Sequence, residues 1–251
     1  MKKVIDPSYA RSESMLDNFI ANFDTSGNQF GVAARNTIKL FDLNGQKINI
    51  KAFKVPILIN QIIYKFFRKS KAKRSFDYAI QLKSLDVKTP NQVAYYEFST
   101  LGLFKKCFYV SEHLDCDLTF RELTKDLNYP EHEIIVRAFT RFTYHLHEKG
   151  VHFLDHSPGN TLIIKTKSSY DFYLVDLNRM EFKEMNFETR IDNFSKLTVD
   201  ESIVRVMSDE YAKCSGHSFD VIFDKMWRKT CDFQFKFHRK KRLKKRFLFW
   251  K

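Results

Sequence analysis

The sequence contains little glycine, with 7 glycines in 251 residues, and none of them forms a G-x-G-x-x-G loop. It also has no apolar run near the roughly 18 residues that a membrane-spanning helix needs. The N-terminus carries two lysines but no apolar core, so we do not expect it to be a secretory signal. These absences argue against a secreted or membrane-spanning protein and indicate a cytoplasmic location.

Cysteines are also few, and the four present form no C-x-x-C pair. This spacing disfavours both a zinc ribbon and a disulfide framework. Cys107 and Cys231 have aromatic neighbours in the sequence, so we expect both to be buried free thiols. The histidines show no H-E-x-x-H pattern, so packing explains them better than metal binding does.

Apolar and aromatic residues are abundant. The apolar fraction is 43 %, with 26 Phe and 11 Tyr, which suffices for a packed core and excludes a disordered chain. A chain of this length can form one large domain or two lobes.

The net charge of +13 is concentrated in two segments. Residues 239–251 hold eight Lys/Arg and residues 65–74 hold six, and neither segment contains an acid. Such local basicity indicates an anionic partner. Twelve of these fourteen cations are the candidates for binding a membrane or the acceptor: Arg68, Lys69, Lys71, Lys73, Arg74, Arg239, Lys240, Lys241, Arg242, Lys244, Lys245 and Arg246.

Three readings of these basic segments remain open. Both segments mix cations with aromatic and aliphatic side chains, which favours a peripheral contact with an anionic membrane surface. Nucleic acid is disfavoured because no recognised binding motif is present. A solvated helix face is the third reading, and nothing in the sequence implies an obligate protein partner.

Hydrophobic periodicity predicts a β-rich start and a largely helical remainder. Asn44-Gly45 joins two alternating runs and therefore predicts a hairpin. The predicted strands are 36–43, 46–53, 93–98, 106–114, 161–165 and 172–175. The predicted helices are 12–22, 56–67, 75–85 and 131–148, with further helices over about 187–237. This order indicates an α+β chain with an N-lobe at 1–112 and a C-lobe at 113–251.

Three polar residues follow the best predicted helix. Asp155 and Asn160 lie on the loop after it, and Asp176 ends the second strand of the following hairpin. Phosphoryl transfer needs metal ions to neutralise the triphosphate and a carboxylate to accept the proton of the attacking hydroxyl. Asp155 suits the second role. Asn160 and Asp176 offer the oxygen ligands that Mg²⁺ prefers.

The pattern D-x-x-x-x-N, followed by a hairpin and Asp, resembles the catalytic and metal loops of the protein-kinase superfamily. The sequence DHSPGN at 155–160, together with YLVDLNRM at 173–180, resembles the lipopolysaccharide-core kinase family, the Kdo/WaaP group, in its Bacteroidota form. The similarity extends to FRKSKAKRS at 67–75, FTRFTYHLHEKG at 139–150 and the basic tail, so it covers most of the chain.

The resemblance implies a two-lobed protein-kinase-like fold and further site residues. Lys51 would pair the α- and β-phosphates of ATP, and it is preferred to Lys54 mainly on this resemblance. Asp77 would hold Lys51, while Glu112 and Leu114 would border the adenine. The sequence departs from the kinase pattern in two places. Asp77 stands where kinases have a glutamate, which is one methylene longer, and DLN at 176–178 replaces the usual DFG.

The function implied is an ATP- and Mg²⁺-dependent kinase of an alcohol group. Its acceptor would be a lipid-linked sugar of the lipopolysaccharide inner core of a Gram-negative bacterium, Kdo in preference to heptose, at the cytoplasmic face of the inner membrane. Two alternatives remain: a protein or small-molecule kinase of the same superfamily, and a degenerate module that binds membrane or nucleic acid without catalysis. The absent glycine loop favours the latter, and the intact Asp155, Asn160 and Asp176 oppose it.

Overall fold

The computed structural model describes residues 1–31, 36–55, 69–100 and 103–248, and for 244 and 246–248 it describes the backbone alone. The helix predicted over 56–67 lies outside the described residues, as does Arg68 of the first basic segment. The side chains of Lys244 and Arg246 are likewise outside them.

The chain packs as two compact units. The first contains Met1–Asp115 together with Asp176–Arg179, and the second contains Cys116–Val175 and Met180–Lys251. The four residues that begin with Asp176 therefore pack with the N-terminal unit, although their neighbours on both sides in the chain belong to the other unit. The sequence predicted a single boundary after residue 112.

A six-stranded antiparallel sheet forms the framework of the first unit in its described residues. The order across the sheet is β1-β5-β6-β4-β3-β2. These strands are Lys2–Ile5 (β1), Asn28–Gln29 (β2), Asn36–Leu43 (β3), Gln46–Phe53 (β4), Gln92–Thr100 (β5) and Leu103–Glu112 (β6). Strands β3 and β4 have the predicted bounds, and Asn44 and Gly45 both have positive φ, as a tight hairpin turn requires. The strand β1 was not predicted.

In the described residues, each face of this sheet packs against a helix, because side chains alternate between the two faces along a strand. Ile48 and Ile50 of β4 face a cluster that includes Leu16 and Ile20 of helix α1, Glu13–Ala21. Phe53 lies on the other face, with Ala72 and Phe76 of helix α2, Lys71–Ser84. Lys51 shares the face of Phe53 by this alternation. A short 3₁₀ helix, Pro7–Ser12, precedes α1.

The second unit is mainly helical. Its helices are Phe120–Lys125 (α3), His132–Glu148 (α4), Phe187–Asp192 (α5), Glu201–Ser215 (α6) and Phe219–Leu248 (α7). Its short strands are Leu118–Thr119 (β7), Val151–Phe153 (β8), Thr161–Lys165 (β9), Tyr170–Leu174 (β10) and Met180–Phe182 (β11). Strand β9 pairs with both β10 and β7, and β8 pairs with β11.

The core of this unit joins α4, α6 and α7 to the β9–β10 hairpin. Phe139 of α4, Met207 of α6, Met226 of α7 and Ile163 of β9 are all buried in one cluster. Among the described residues, no helix is both long and apolar enough to cross a bilayer. A β-sheet unit followed by a mainly helical unit confirms the predicted α+β class.

The cysteine prediction was half right. Cys107 is buried in the first unit, but Cys231, on α7, is exposed. Aromatic neighbours in the sequence do not share a face with a residue in a helix, so they did not indicate its burial.

Candidate active site

Lys51 is held in the sheet of the first unit by its position in the middle of β4. Its Nζ lies 2.5 Å from Oδ1 of Asp176 and 5.4 Å from the ring centre of Phe53. The side chain is mostly buried. A cation in this position offers a fixed positive charge beside the carboxylate that the sequence assigns to the metal.

Asp176 has an unusual backbone. Its φ of 59° lies in the left-handed region, where non-glycine residues are uncommon although Asp and Asn tolerate it best. Such a conformation costs on the order of 1–3 kcal/mol and is retained mainly where the surroundings require it, often at functional sites. The side chain of Asn178 donates to Oδ1 of Asp176 at 2.6 Å, so two donors orient this carboxylate.

Asp77 does not hold Lys51 in the described structure. Its carboxylate binds Lys69 at 2.8 Å and Lys73 at 3.3 Å, and the carboxylate partner of Lys51 is Asp176. Asp77 lies one helical turn after Lys73 on α2, where a local ion pair forms readily. The resemblance implied the Lys51–Asp77 pairing, and the described contacts do not contain it.

Glu112 ends β6, the strand expected to border the adenine. Its carboxylate accepts hydrogen bonds from Tyr9, from Gln46 at 2.6 Å and from Asn91 at 2.7 Å. Burial raises the pKa of Glu112, but these three hydrogen bonds outweigh it and leave the pKa below its ordinary value. The 3₁₀ helix and β4 thus hold the end of β6 in place. Leu114, two residues on, is half-buried.

In the second unit, the loop between β8 and β9 carries Asp155 and Asn160. The side-chain amide of Asn160 donates to the carbonyl of Asp155 at 2.9 Å and closes the loop on itself. The carbonyl of Asn160 accepts from the N–H of Val175 at 3.0 Å. This bond ties the loop to the residue that immediately precedes Asp176 in the chain.

Two residues that sequence reasoning missed also hold this loop. Asn193 donates to the carbonyl of Phe153 at 2.9 Å, and Lys196 donates to the carbonyl of Leu154 at 2.6 Å. With the Asn160–Asp155 bond, three consecutive carbonyls before and at Asp155 each accept a side-chain donor. No short motif signals Asn193 or Lys196, because both lie more than thirty positions further along the chain.

Two buried histidines pack beside the loop. His147 bonds Tyr211 at 3.0 Å and Asn193 at 3.2 Å, while His156 is fully buried and stacks on Phe139 with ring centres 5.4 Å apart. Burial lowers the pKa of His147 to about 4 and that of His156 to about 3. Both rings are therefore neutral at neutral pH. Packing explains them, as the sequence predicted.

Asn160 and Asp176 each carry a side-chain oxygen of the kind that the sequence predicts as a Mg²⁺ ligand. The side-chain nitrogen of Asn160 donates a hydrogen bond to the carbonyl of Asp155, and its Oδ1 accepts no hydrogen bond from the described residues. The described residues contain no cluster of three or more His, Cys, Asp or Glu that could bind a metal. Each of these oxygens is of a type that suits Mg²⁺, which commonly uses one or two protein ligands and completes its shell with water and substrate phosphates.

The basic residues fall into two groups. Lys69 pairs with Asp77, Lys71 lies 5.8 Å from the ring centre of Phe53, and Lys73 lies near the ring of Tyr95. Arg74 is only 7 % exposed, which the sequence did not indicate. Within the second basic segment, 239–251, the cations whose side chains are described are all exposed: Arg239, Lys240, Lys241, Arg242 and Lys245.

No protein-family model and no curated protein matches this sequence. By contrast, 1268 chains of solved structures match its fold, a number so large that the fold alone does not select one function. One of them is WaaP in complex with acyl carrier protein. The match has a TM-score of 0.64 at 16 % sequence identity and covers 95 % of this chain and 99 % of that chain. The chain therefore has the protein-kinase-like α+β fold that the sequence predicted.

Proposed function

We propose that this protein is an ATP- and Mg²⁺-dependent kinase of a sugar in the lipopolysaccharide inner core. The preferred acceptor is a lipid-linked Kdo, with heptose as the second choice, at the cytoplasmic face of the inner membrane. The kinase-like fold supports phosphoryl transfer as the type of reaction. The presence of Asp155, Asn160 and Asp176 supports the chemistry proposed for it.

The observation that carries the proposal is the contact between Lys51 and Asp176. Their charged atoms lie 2.5 Å apart although 125 positions separate them in the chain. Asp176 holds a left-handed backbone that most residues avoid, so the fold expends free energy to keep its carboxylate there. A lysine on a central strand paired with a strained aspartate suits the binding of phosphates and their metal ion.

In the proposed step, a bond forms between the acceptor hydroxyl oxygen and the γ-phosphorus of ATP. The bond from that phosphorus to the β,γ-bridging oxygen breaks, and ADP leaves with the electron pair. Asp155 orients the hydroxyl and accepts its proton, which then passes to solvent. Bound Mg²⁺ would neutralise charge on the phosphates, with Asn160 and Asp176 as its protein ligands.

The first unit would hold the nucleotide. Lys51 would contact the α- and β-phosphates, and the backbone near Leu114 would meet the adenine. The N–H and C=O of Leu114 form no hydrogen bond with the described residues, so both can serve a ligand. Glu112 would act indirectly, because its three hydrogen bonds keep the end of β6 in place.

The end of α7 would attach the enzyme to the membrane. Phe235, Phe237 and Leu243 are 61 %, 53 % and 46 % exposed among exposed cations. Apolar side chains of this kind can enter the headgroup region while the cations contact anionic lipids. Each cation near an anionic leaflet contributes on the order of 1 kcal/mol. The exposed face would bring the enzyme to an acceptor that is itself embedded in the membrane.

The direct experiment is transfer of radiolabelled phosphate from ATP to purified core lipid, with a mixture of proteins as the competing acceptor. The expected result is labelled core lipid, and the Asp155→Asn variant should still bind ATP but lose transfer. Asp232→Asn, a change of an exposed carboxylate on α7, is the matched control. Label in protein alone would favour the protein-kinase alternative.

A second measurement addresses the non-catalytic alternative. ATP should raise the melting temperature in the presence of Mg²⁺ and less so without it, because ligands that bind the folded state stabilise it. No shift with ATP and Mg²⁺, together with no transfer to any acceptor, would favour a degenerate module and overturn the proposed activity.

A further inference from the structure

Arg121 lies directly against the loop that carries Asp155 and Asn160. A Cβ built on Gly159 would overlap Nη2 of Arg121 and lie 3.0 Å from its Cζ. The φ of Gly159 is not positive, so its backbone does not require glycine. A glycine is needed here because the guanidinium of Arg121 occupies the space that a Cβ would fill.

This guanidinium has no carboxylate partner among the described residues. Each other described arginine of the second unit before residue 239 pairs with an acid: Arg137 with Asp209, Arg141 with Glu210, Arg190 with Glu148, Arg205 with Glu201 and Arg228 with Asp224. Arg121 is also exposed to solvent. Its five N–H groups are therefore available to an external anion.

The position of Arg121 relates it to the acceptor. The Asn160–Asp155 bond closes the loop, so Gly159 and Asp155 belong to one closed loop of six residues, 155–160. An acceptor whose hydroxyl approaches Asp155 while carrying its own carboxylate is repelled by Asp155. A cation that packs against this loop would offset that repulsion, and an arginine can bind a carboxylate through two parallel hydrogen bonds.

We propose that Arg121 binds the carboxylate of the acceptor sugar and that Gly159 is small in order to admit it. The inference rests on the proposed function, and it specifies the acceptor class as an acidic sugar. Kdo carries such a carboxylate, whereas heptose does not. Arg121 thus selects the acidic sugar over a neutral one.

Steady-state kinetics give the first test. Arg121→Ala should raise the KM for core lipid by about tenfold or more and leave the KM for ATP unchanged. Arg121→Lys should restore part of the loss, because it keeps the charge but not the planar fork. Arg228→Ala, which removes an exposed arginine from α7, is the control and should leave both constants unchanged. A rise in the KM for ATP instead would overturn the assignment.

Gly159→Ala tests whether the contact itself matters. The added Cβ should push the guanidinium aside and raise the acceptor KM in the wild-type background. In the Arg121→Ala background the same change should add little, because the displaced group is already gone. Equal effects in both backgrounds would mean that Gly159 acts without Arg121 and would overturn the proposal.

A binding measurement separates this inference from the proposed function. Calorimetric titration with free Kdo and with its methyl ester should show tighter binding of the carboxylate form, and Arg121→Ala should abolish that preference. Preserved preference in the variant, or no preference in the wild type, overturns the inference whether or not transfer occurs. Absence of transfer to core lipid despite an Arg121-dependent preference overturns only the proposed reaction. Melting curves of each variant verify folding.

Discussion

Nζ of Lys51 lies 2.5 Å from Oδ1 of Asp176. Asp176 begins a segment of four residues that packs with the N-terminal unit. Neither residue is fully exposed, and Asn178 supplies a second donor to the same oxygen. Removing one member of such a pair leaves the other charge without compensation. The pair therefore acts as one unit, and its two members should not be independent in function.

Asp176→Asn should lower the rate of phosphoryl transfer by about a hundredfold or more, because it removes the carboxylate that we propose as a ligand of the Mg²⁺ at the phosphates. Asn is the informative replacement because it tolerates the left-handed backbone that Asp176 adopts. Transfer assays and thermal unfolding together would check that charge, and not backbone strain, causes the loss.

The Lys51→Met variant completes a double-mutant cycle with this change. If the two residues act as a pair, the double variant should be far less impaired than the sum of the two free-energy losses. Strict additivity would show that Lys51 and Asp176 contribute separately, contrary to the contact described above.

Asn193→Ala should destabilise the second unit and slow transfer. The change removes a donor to the carbonyl of Phe153 and a partner of His147, both buried. Loss of buried hydrogen bonds costs about 1–3 kcal/mol. Urea unfolding should show a decrease of this size, while Asn22→Ala, on the exposed end of α1, should stay within about 0.5 kcal/mol of wild type.

Lys196→Met isolates the next carbonyl of the loop. It keeps the length of the side chain but removes the donor to Leu154, 2.6 Å away. We expect a lower kcat with little change in the KM for ATP, because the loop and not the nucleotide site is affected. A variant with wild-type kcat would show that this bond does not position Asp155.

Acid should destabilise the protein through its two buried histidines. In the folded chain, burial depresses the pKa of His147 to about 4 and that of His156 to about 3, from an ordinary value of 6.5. The unfolded chain therefore binds more protons below about pH 6.5. The stability they contribute is complete above that pH and is lost as the pH falls towards the folded values, by roughly 1.4 kcal/mol per pH unit for each histidine.

The His156→Phe variant measures that contribution. Phe keeps a ring to stack on Phe139 and removes one titrating group. Urea unfolding from neutral pH down to about pH 5 should then show a shallower loss of stability than in the wild type. An identical slope in both proteins would contradict the assignment of His156 as a buried neutral ring.

Deletion of residues 239–251 should weaken binding to anionic vesicles and remove its dependence on salt. The deleted segment includes the exposed Arg239, Arg242 and Lys245, whose attraction to lipid headgroups is screened by ions. Co-sedimentation with phosphatidylglycerol vesicles at low and high salt is the measurement, and phosphatidylcholine vesicles are the control. A truncated protein that binds as well as the full chain would contradict the membrane role of α7.

Much of the fold could be predicted because local patterns encode it. Alternation and Asn44-Gly45 placed β3 and β4 correctly, and the apolar stripe of α4 was recognised to within one residue at its start. The strand β1 was missed because it has only four residues and is stabilised by pairing with β5, about ninety positions away. No local pattern contains that pairing.

The sequence by itself determined most of the longer helices and strands, the α+β order and the loop residues Asp155 and Asn160, because periodicity and spacing are local properties of a chain. Only the tertiary structure decided that Lys51 pairs with Asp176 and not with Asp77, that Arg74 is buried, and that Asn193 and Lys196 hold the loop. The physical reason is that side-chain partners are set by which surfaces pack together. Residues far apart in the chain meet through packing that no single segment specifies.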